Sequence, residues 1–238
     1  MKLQDARVLI TGGGSGIGRA TAALLVQGGA KVAIVGRDAK RLEGAAREIG
    51  AIALPGDVTD EAAVKRFVAA AIAQLGDLNV LVNNAGMGTF APLLDTTVAD
   101  FERTFRTNTL GAMLVARECA RHFTARKSGA GGTIVNIGST AAQRGFGGGS
   151  AYCASKFALT ALTECWRAEL RASNVRVCQV NPSEVQNDFS VHAGRPPRTG
   201  LNPSKLVSED IAHVIASLIA LDDRGFVTDA TVWATNPR

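Results

Sequence analysis

What this 238-residue chain lacks already narrows its possible functions. It has only four cysteines, and no CxxC or Cys/His spacing joins Cys119, Cys153, Cys165 and Cys178. Neither a disulfide framework nor a metal site is therefore indicated, and reduced thiols of a cytoplasmic protein are expected. Aromatic residues make up 5% of the chain, with a single tyrosine, so few rings are available to stack on single-stranded nucleic acid.

Runs of like charge and long apolar runs are also missing. The net charge is +5, but basic and acidic residues are interspersed, which argues against a nucleic-acid partner and leaves a mild field that favours an anionic ligand. The apolar stretch Ile211–Leu221 is too short to span a bilayer, so no membrane partner is expected. The residues before the first apolar run leave no room for a secretory signal.

Short apolar runs alternate with helical patterns along the chain, which is typical of βαβ units and a parallel sheet. We expect a single domain over 1–238 with an α/β Rossmann fold, a doubly wound parallel sheet of about seven strands with helices on both faces. Strands are predicted at Ala6–Ile10, Lys31–Val35, Ala51–Leu54, Val80–Val82, Gly132–Ile137, Val175–Val180 and Phe226–Trp233. Helices are predicted at Gly16–Gln27, Ala39–Ile49, Glu61–Leu75, Val98–Ala125, Ser150–Ala172 and Ser208–Leu221.

Helix caps and one irregular segment complete this outline. Thr59 or Asp60 is expected to cap the third helix and Ser208 the last. The segment 183–205 is rich in proline and glycine and has little periodicity, which predicts a substrate lid. An ordinary surface loop is the alternative.

A glycine-rich turn follows the first strand. Gly12, Gly16 and Gly18 form G-x-x-x-G-x-G rather than G-x-G-x-x-G, and a helix begins near Gly16, as a pyrophosphate site requires. No Gly-Lys-Ser/Thr follows, which disfavours an enzyme that hydrolyses nucleoside triphosphates. At the end of the second strand Arg37 offers a planar fork for a 2′-phosphate, so NADP(H) is favoured over NAD(H). Asp38 keeps NAD open, because its carboxylate could bond a ribose 2′-hydroxyl.

A candidate catalytic pair lies on the fifth helix. Tyr152 and Lys156 are four residues apart and share one helix face, where an ammonium about 5 Å away would lower the phenol pKa by about two units. Ser139 ends the fifth strand, at the sheet edge where ligands gather, and could hydrogen-bond a substrate carbonyl. The alternatives are a solvated helix face for the pair and an N-cap or loop hydroxyl for Ser139.

In their order and separation these motifs resemble the classical branch of the short-chain dehydrogenase/reductase family. The resemblance covers nearly the whole chain. It is carried by Thr11 with the Gly12/Gly16/Gly18 turn, Asp57-Val58, Asn83 to Gly86, Asn108, Ser139, Tyr152 with Lys156, and Asn181-Pro182.

The resemblance implies a role for each matched position. Tyr152 would be the acid/base, Lys156 would lower its pKa and hold the nicotinamide ribose, and Ser139 would orient the carbonyl. Asn108 would kink its helix and anchor a water that relays protons to Lys156. Cofactor contacts would come from Gly12, Ser15, Gly16, Ile17, Gly18, Arg37, Asp57, Val58, Asn84, Ala85, Gly86, Tyr152, Lys156, Pro182 and Val185.

The expected activity is NADPH-dependent reduction of a small-molecule ketone, aldehyde or 3-oxoacyl thioester to an alcohol. An NAD-dependent alcohol or sugar dehydrogenase and a non-catalytic dinucleotide sensor are the alternatives. Ser183 and Asn187 depart from the family pattern, and the absence of an acidic-Gly-Gly ending disfavours a role in fatty-acid synthesis. We expect Asn187 still to bond an amide or phosphate.

Substrate contacts are expected from residues 140–149 and from the lid. Arg195, Arg198 and Lys205 are candidate contacts for an acidic carrier or phosphate, although solvation of an exposed loop is the favoured explanation for them. The resemblance further implies a homotetramer or homodimer built on the helices 98–125 and 150–172, and light scattering would reveal a monomer if that is wrong.

Overall fold

Seven parallel strands form the central sheet of the computed structural model, which describes residues 1–126, 130–187, 189 and 200–235. The strands are β1 Arg7–Thr11, β2 Lys31–Gly36, β3 Ile52–Pro55, β4 Val80–Asn83, β5 Gly132–Ile137, β6 Val175–Pro182, β7 Val185–Gln186, β8 Leu206–Val207 and β9 Asp229–Val232. The sheet order is β3-β2-β1-β4-β5-β6-β9, and each neighbouring pair is parallel. A separate parallel pair joins β7 to β8.

Helices cover both faces of this sheet, as the uninterrupted apolar strands predict. Within β1, Val8 and Ile10 enter the core beneath α1, α2 and α7, whereas Leu9 enters the core beneath α3 and α5. The helices are α1 Gly16–Gln27, α2 Ala39–Ile49, α3 Glu61–Leu75, α4 Val98–Phe105, α5 Ala112–Ala125, α6 Ser150–Leu170 and α7 Ser208–Ala220. The predicted doubly wound α/β fold is thus confirmed.

Element positions agree with the predictions, and the differences lie at particular boundaries. The predicted helix Val98–Ala125 is α4 and α5 joined by a π-helical turn at Arg106–Gly111. The last strand is shorter than predicted, Asp229–Val232. Asp60 caps α3, but Ser208 is the first residue of α7 rather than its cap, because the Asp210 carboxylate accepts a hydrogen bond from the Val207 N–H.

The two ends of the predicted lid 183–205 are held together. Strands β7 and β8 pair, Gln186 exchanges hydrogen bonds with the Asn202 backbone, and Lys205 Nζ lies 2.8 Å from a Glu184 carboxylate oxygen. Residues 188 and 190–199 lie outside the described residues, and with them the predicted contacts of Arg195 and Arg198.

The order of the strands places the site. The chain leaves β1 toward β2 on one side, whereas β4 pairs on its other side, so the connections after β1 and β4 diverge. Ligands of open α/β sheets bind in the crevice at such a point, outside the carboxyl ends of the strands. Within the described residues, no helix is both long enough and apolar enough to cross a membrane.

Candidate active site

A cleft opens at the carboxyl ends of β1, β4, β5 and β6. The predicted site residues that line it are Gly12, Ser15, Gly16, Ile17, Asn84, Ala85, Gly86, Ser139, Tyr152, Lys156, Pro182 and Val185. It is also lined by Ile137, Gly138, Ser183, Asn187 and Phe189. Most of the predicted residues are therefore brought together from five separate stretches of chain.

The turn after β1 is fixed against the end of β4 by side-chain hydrogen bonds. The N–H groups of Asn84 and Ala85 both donate to Thr11 Oγ1, at 3.0 Å each. Asn84 Nδ2 donates to the Thr11 carbonyl at 2.9 Å and to the Gly12 carbonyl at 3.2 Å. Gly12 has φ +66°, a left-handed conformation that favours glycine, and a Cβ there would lie 2.9 Å from Asn84 Nδ2.

The first turn of α1 presents backbone N–H groups to the cleft. The helix begins at Gly16, and the hydroxyl of its N-cap Ser15 makes no capping hydrogen bond among the described residues. Gly16 has φ +52°, and a Cβ there would meet only Asn187, at 3.6 Å or more, so the backbone is open to a ligand. Free N–H groups and the positive end of a helix dipole suit a pyrophosphate. The cradle thus fits a dinucleotide.

Lys156 lies at the floor of the cleft. Its side chain is 5% exposed, and Nζ donates a 2.7 Å hydrogen bond to the Ile137 carbonyl at the end of β5. Burial disfavours the charged form and lowers the pKa of the ammonium to about 8. One face of Nζ is thus anchored, and the remaining N–H groups are left for the cleft.

Tyr152 stands one helical turn earlier on α6, against aromatic side chains. The ring centroids of Phe90 and Phe189 each lie 5.6 Å from its own, and Lys156 Nζ lies 5.9 Å from it. Burial raises the pKa of the phenol to about 12, and a hydrogen bond with Ser139 offsets part of the rise. The sequence predicted a lowered pKa from the ammonium alone. In the protein by itself, desolvation is the largest influence on the phenol, and its pKa is raised instead.

Ser139 was predicted either to cap a turn or to bind a substrate carbonyl, and its surroundings are compatible with both roles. Its Oγ accepts a 3.1 Å hydrogen bond from the Ala141 N–H and caps the short 3₁₀ turn Thr140–Ala142. Its side chain also lies on the wall of the cleft with Tyr152 and lowers the pKa of the phenol. The cap therefore fixes the hydroxyl beside the phenol.

Asn108 lies in the π-helical turn, behind the cleft rather than on its wall. Its side chain accepts a hydrogen bond from the Met87 N–H and donates to the Met87 carbonyl, at 2.8 Å each. It also donates to Ser155 Oγ at 3.0 Å, and Ser155 in turn donates to the Tyr152 carbonyl at 2.7 Å. Both amide hydrogens of the side chain are therefore used in hydrogen bonds that connect the loop after β4 to α6.

The other predicted contacts do not line the cleft. Gly18 is buried in α1, Arg37 follows β2 at the surface, and Val58 packs behind the cleft against Gly111. Asp57 accepts hydrogen bonds from the backbone and hydroxyl of Thr59. Asp38, which follows Arg37, accepts a hydrogen bond from the Arg41 N–H through its carboxylate and caps α2.

A second recess adjoins the cleft, and we call it the aromatic pocket. Its rings are Phe90, Phe146, Phe189 and Trp233, with Tyr152 shared between recess and cleft. Arg144 also lines it, with its guanidinium carbon 6.0 Å from the centroid of the Trp233 ring. The prediction of substrate contacts at 140–149 covers two of these residues. Phe189 belongs to the predicted lid, whereas Phe90 and Trp233 were missed, because each is a lone aromatic in a separate loop.

Comparison with known proteins places this cleft in a wider group. The model of the short chain dehydrogenase family matches residues 6–196. Human L-xylulose reductase is 35% identical over 237 residues, which are 97% of this chain and 95% of the enzyme. An uncharacterized oxidoreductase of Bacillus subtilis is 36% identical over 199 residues, which are 81% of this chain and 55% of that protein.

Solved structures that resemble this chain are also reductases and dehydrogenases. The 3-ketoacyl-(acyl-carrier-protein) reductase from Brucella melitensis, complexed with NADH, is 30% identical with a TM-score of 0.87, and 97% of each chain is covered. The alcohol dehydrogenase from the archaeon Thermococcus sibiricus, complexed with 5-hydroxy-NADP, is 25% identical with a TM-score of 0.87, and again 97% of each chain is covered. Similar structures therefore hold either dinucleotide, and this chain, by its family match and its cleft, is an oxidoreductase of the short chain dehydrogenase family.

Proposed function

We propose that this protein reduces the carbonyl group of a small molecule to an alcohol, with NADPH as the reductant and Tyr152 as the proton donor. The observation that carries the proposal is the meeting of Tyr152, Ser139 and Lys156 in a cleft whose other wall is the open first turn of α1. The turn suits a pyrophosphate, and the three side chains suit a carbonyl.

The chain's own residues divide the work. The nicotinamide supplies the hydride when it is bound. Ser139 donates a hydrogen bond to the carbonyl oxygen, and Tyr152 transfers its phenolic proton to the same oxygen as negative charge develops there. Lys156, anchored on the Ile137 carbonyl, has further N–H groups that would hold the ribose of a bound cofactor, and its ammonium would place positive charge near the phenol. Asn108 is a positioning residue, because it acts through the Met87 loop and Ser155.

The protonated phenol of Tyr152 is compatible with reduction. A value of about 12 keeps the phenol protonated at neutral pH, which is the form that donates a proton. Oxidation needs the phenolate, and so it would require higher pH or a positive charge, such as that of an oxidised nicotinamide, that lowers this raised pKa.

The residues after β2 support NADPH over NADH. Gly36 offers no carboxylate for a ribose 2′-hydroxyl, and Asp38 is engaged in capping α2. Arg37 is exposed at the same edge, and a guanidinium suits a 2′-phosphate. The similarity to human L-xylulose reductase supports a carbonyl substrate that is free rather than attached to a carrier.

The experiment measures absorbance at 340 nm with NADPH or NADH against ketones, diketones, ketosugars and a 3-oxoacyl thioester. NADPH turnover is expected with at least one member of the panel. Tyr152→Phe removes only the hydroxyl, so it is expected to lower kcat at least about 100-fold, the usual contribution of a positioned acid, with little change in NADPH binding.

Three other outcomes would count against the proposal. Turnover with NADH alone would make the protein an NAD-dependent alcohol or sugar dehydrogenase. Undiminished turnover by Tyr152→Phe would remove the phenol from the mechanism. Dinucleotide binding without turnover of any member would favour a sensor.

A further inference from the structure

The aromatic pocket has the features of a recess that a ligand completes. Phe146 is 47% exposed and Trp233 is 53% exposed, although both face a pocket that contains the Tyr152 ring. Phe90 links the two ends of this set, with its ring 6.0 Å from Phe146 and 5.6 Å from Tyr152. Exposed rings grouped beside a reactive group indicate a binding surface for an apolar, planar molecule.

Arg144 brings a positive charge to the wall of this pocket. Glu184 lies on the wall, but its carboxylate is paired with Lys205 at 2.8 Å. Arg144 lies over the Trp233 ring, and among the residues that the structure describes no carboxylate lies within ion-pair distance of its guanidinium. An exposed guanidinium beside apolar rings is suited to an anionic group on the molecule that fills the pocket.

Local contacts fix this arginine relative to the catalytic groups. Ser139 caps the 3₁₀ turn Thr140–Ala142, and the Arg144 N–H donates to the Thr140 carbonyl at 3.3 Å. Gln143 Nε2 donates to Thr231 Oγ1 in β9 at 2.8 Å, two residues before Trp233. The short segment from Ser139 to Arg144 therefore joins the hydroxyl next to Tyr152 to the guanidinium over Trp233.

We propose that the substrate of this enzyme is an aryl ketone or aldehyde that carries a carboxylate, with the ring held in the aromatic pocket and the carboxylate held by Arg144. This inference rests on the proposed carbonyl reduction and names the class of molecule on which that reaction acts. It also gives Arg144 a role in specificity.

Matched substrates test the charge. The series is 4-acetylbenzoate, 4-acetylphenylacetate and 3-(4-acetylphenyl)propanoate, which varies the distance from carbonyl to carboxylate, and each acid is compared with its primary amide. The best acid is expected to exceed its amide by about tenfold in kcat/KM, the scale of one charge-assisted bidentate contact. The aliphatic 5-oxohexanoate is expected to be poorer than the best aryl acid by a similar factor.

Two arginine variants separate a local contact from the general field of a basic protein. Arg144→Met is expected to bring the ratio of acid to amide close to one. Arg224→Met removes an equal charge from a side chain that is 91% exposed and paired with Asp222, and it is expected to keep the wild-type ratio. Equal ratios in both variants would overturn the assignment of Arg144.

A binding measurement distinguishes failure of this inference from failure of the proposed function. Calorimetric titration of the unreactive 4-ethylbenzoate and 4-ethylbenzamide, with NADP⁺ present, reports the pocket without turnover. If the protein prefers the acid and Arg144→Met removes that preference, the subsite is supported even when none of the ketones reacts. The absence of any reaction would then count against carbonyl reduction alone. Turnover of ketones with no preference for acids, in kinetics and in binding, would overturn the subsite and leave the reduction standing.

Discussion

Lys156 shows how burial sets the chemistry of a single side chain. The helix α6 carries it inward, one turn after Tyr152, to the Ile137 carbonyl at the end of β5. That hydrogen bond holds the side chain in place, but loss of water lowers the pKa of the ammonium to about 8. The charged form is therefore favoured only modestly at neutral pH, and a bound dinucleotide with its phosphates and ribose hydroxyls would favour it further.

We expect this coupling to make NADPH binding depend on pH. If the bound dinucleotide raises the pKa of Lys156, binding takes up a proton whenever the free protein has lost it. Affinity is then constant below pH 8 and weakens as pH rises above 8, by up to about tenfold per pH unit. Fluorescence titration of NADPH from pH 7 to 10 measures the slope.

Lys156→Arg provides the control for that measurement. A guanidinium stays charged across this range, so the variant is expected to bind NADPH more weakly at pH 7 but to lose the decline above pH 8. A decline of the same size in the variant would assign the titration to another group.

The close packing of α1 against the turn at Gly12 depends on a single residue, Gly18. Gly18 lies inside α1, where a Cβ would overlap the Gly12 carbonyl oxygen and Asn84 Nδ2. Neither neighbour can move easily, because Asn84 is held to Thr11 and Gly12 by hydrogen bonds. Gly18→Ala is expected to lower the free energy of unfolding by about 1–3 kcal/mol through overpacking and to weaken NADPH binding. Chemical denaturation measures the first effect.

Gly44 offers the matched substitution. It lies in the interior of α2, and a Cβ there would meet nothing within 4 Å. Gly44→Ala is expected to raise the free energy of unfolding by about 0.5–1 kcal/mol, because alanine loses less backbone entropy in a helix. If both variants were destabilised equally, the close approach of α1 to the Gly12 turn would not be the cause.

Periodicity predicted the elements well where one physical pattern extends through the whole segment. Strand β5 is buried along its length, and its bounds agree with the predicted Gly132–Ile137. The helix at 98–125 keeps a helical pattern throughout, so the π-helical turn at Arg106–Gly111 is invisible to periodicity, and only the family resemblance indicated a kink at Asn108. The pair β7–β8 was missed because two-residue strands carry no pattern.

The site was predictable where chemistry lies close together in sequence. Tyr152 and Lys156 share one helix, and the glycines of the first turn share one loop, so local spacing identified both. The aromatic pocket was predicted only through residues 140–149 and the lid that contains Phe189, because Phe90 and Trp233 come from loops after two other strands. These loops come together because of the order of the strands in the sheet, and local sequence patterns do not reveal that order.

At the scale of the whole molecule, the cleft joins distant parts of the sheet. The groups on its walls follow β1, β4, β5 and β6, and β7 lies beside them. A dinucleotide held there contacts the native arrangement and has no equivalent site in the unfolded chain. Its binding free energy therefore adds to the stability of the fold, which gives a measure of cofactor preference that does not depend on turnover.

Thermal unfolding with NADPH or NADH uses this linkage. NADPH at about 100 times its Kd adds about 2.7 kcal/mol, which raises Tm by about 5–10 °C for a chain of this length. NADH at the same concentration is expected to give a smaller shift, because Arg37 has no 2′-phosphate to bind. Arg37→Ala is expected to bring the NADPH shift down to the NADH shift, whereas Arg224→Ala, at an exposed site away from β2, leaves the difference intact. Equal shifts for the two dinucleotides in the unaltered chain would contradict the preference for NADPH, and a larger shift with NADH would reverse it.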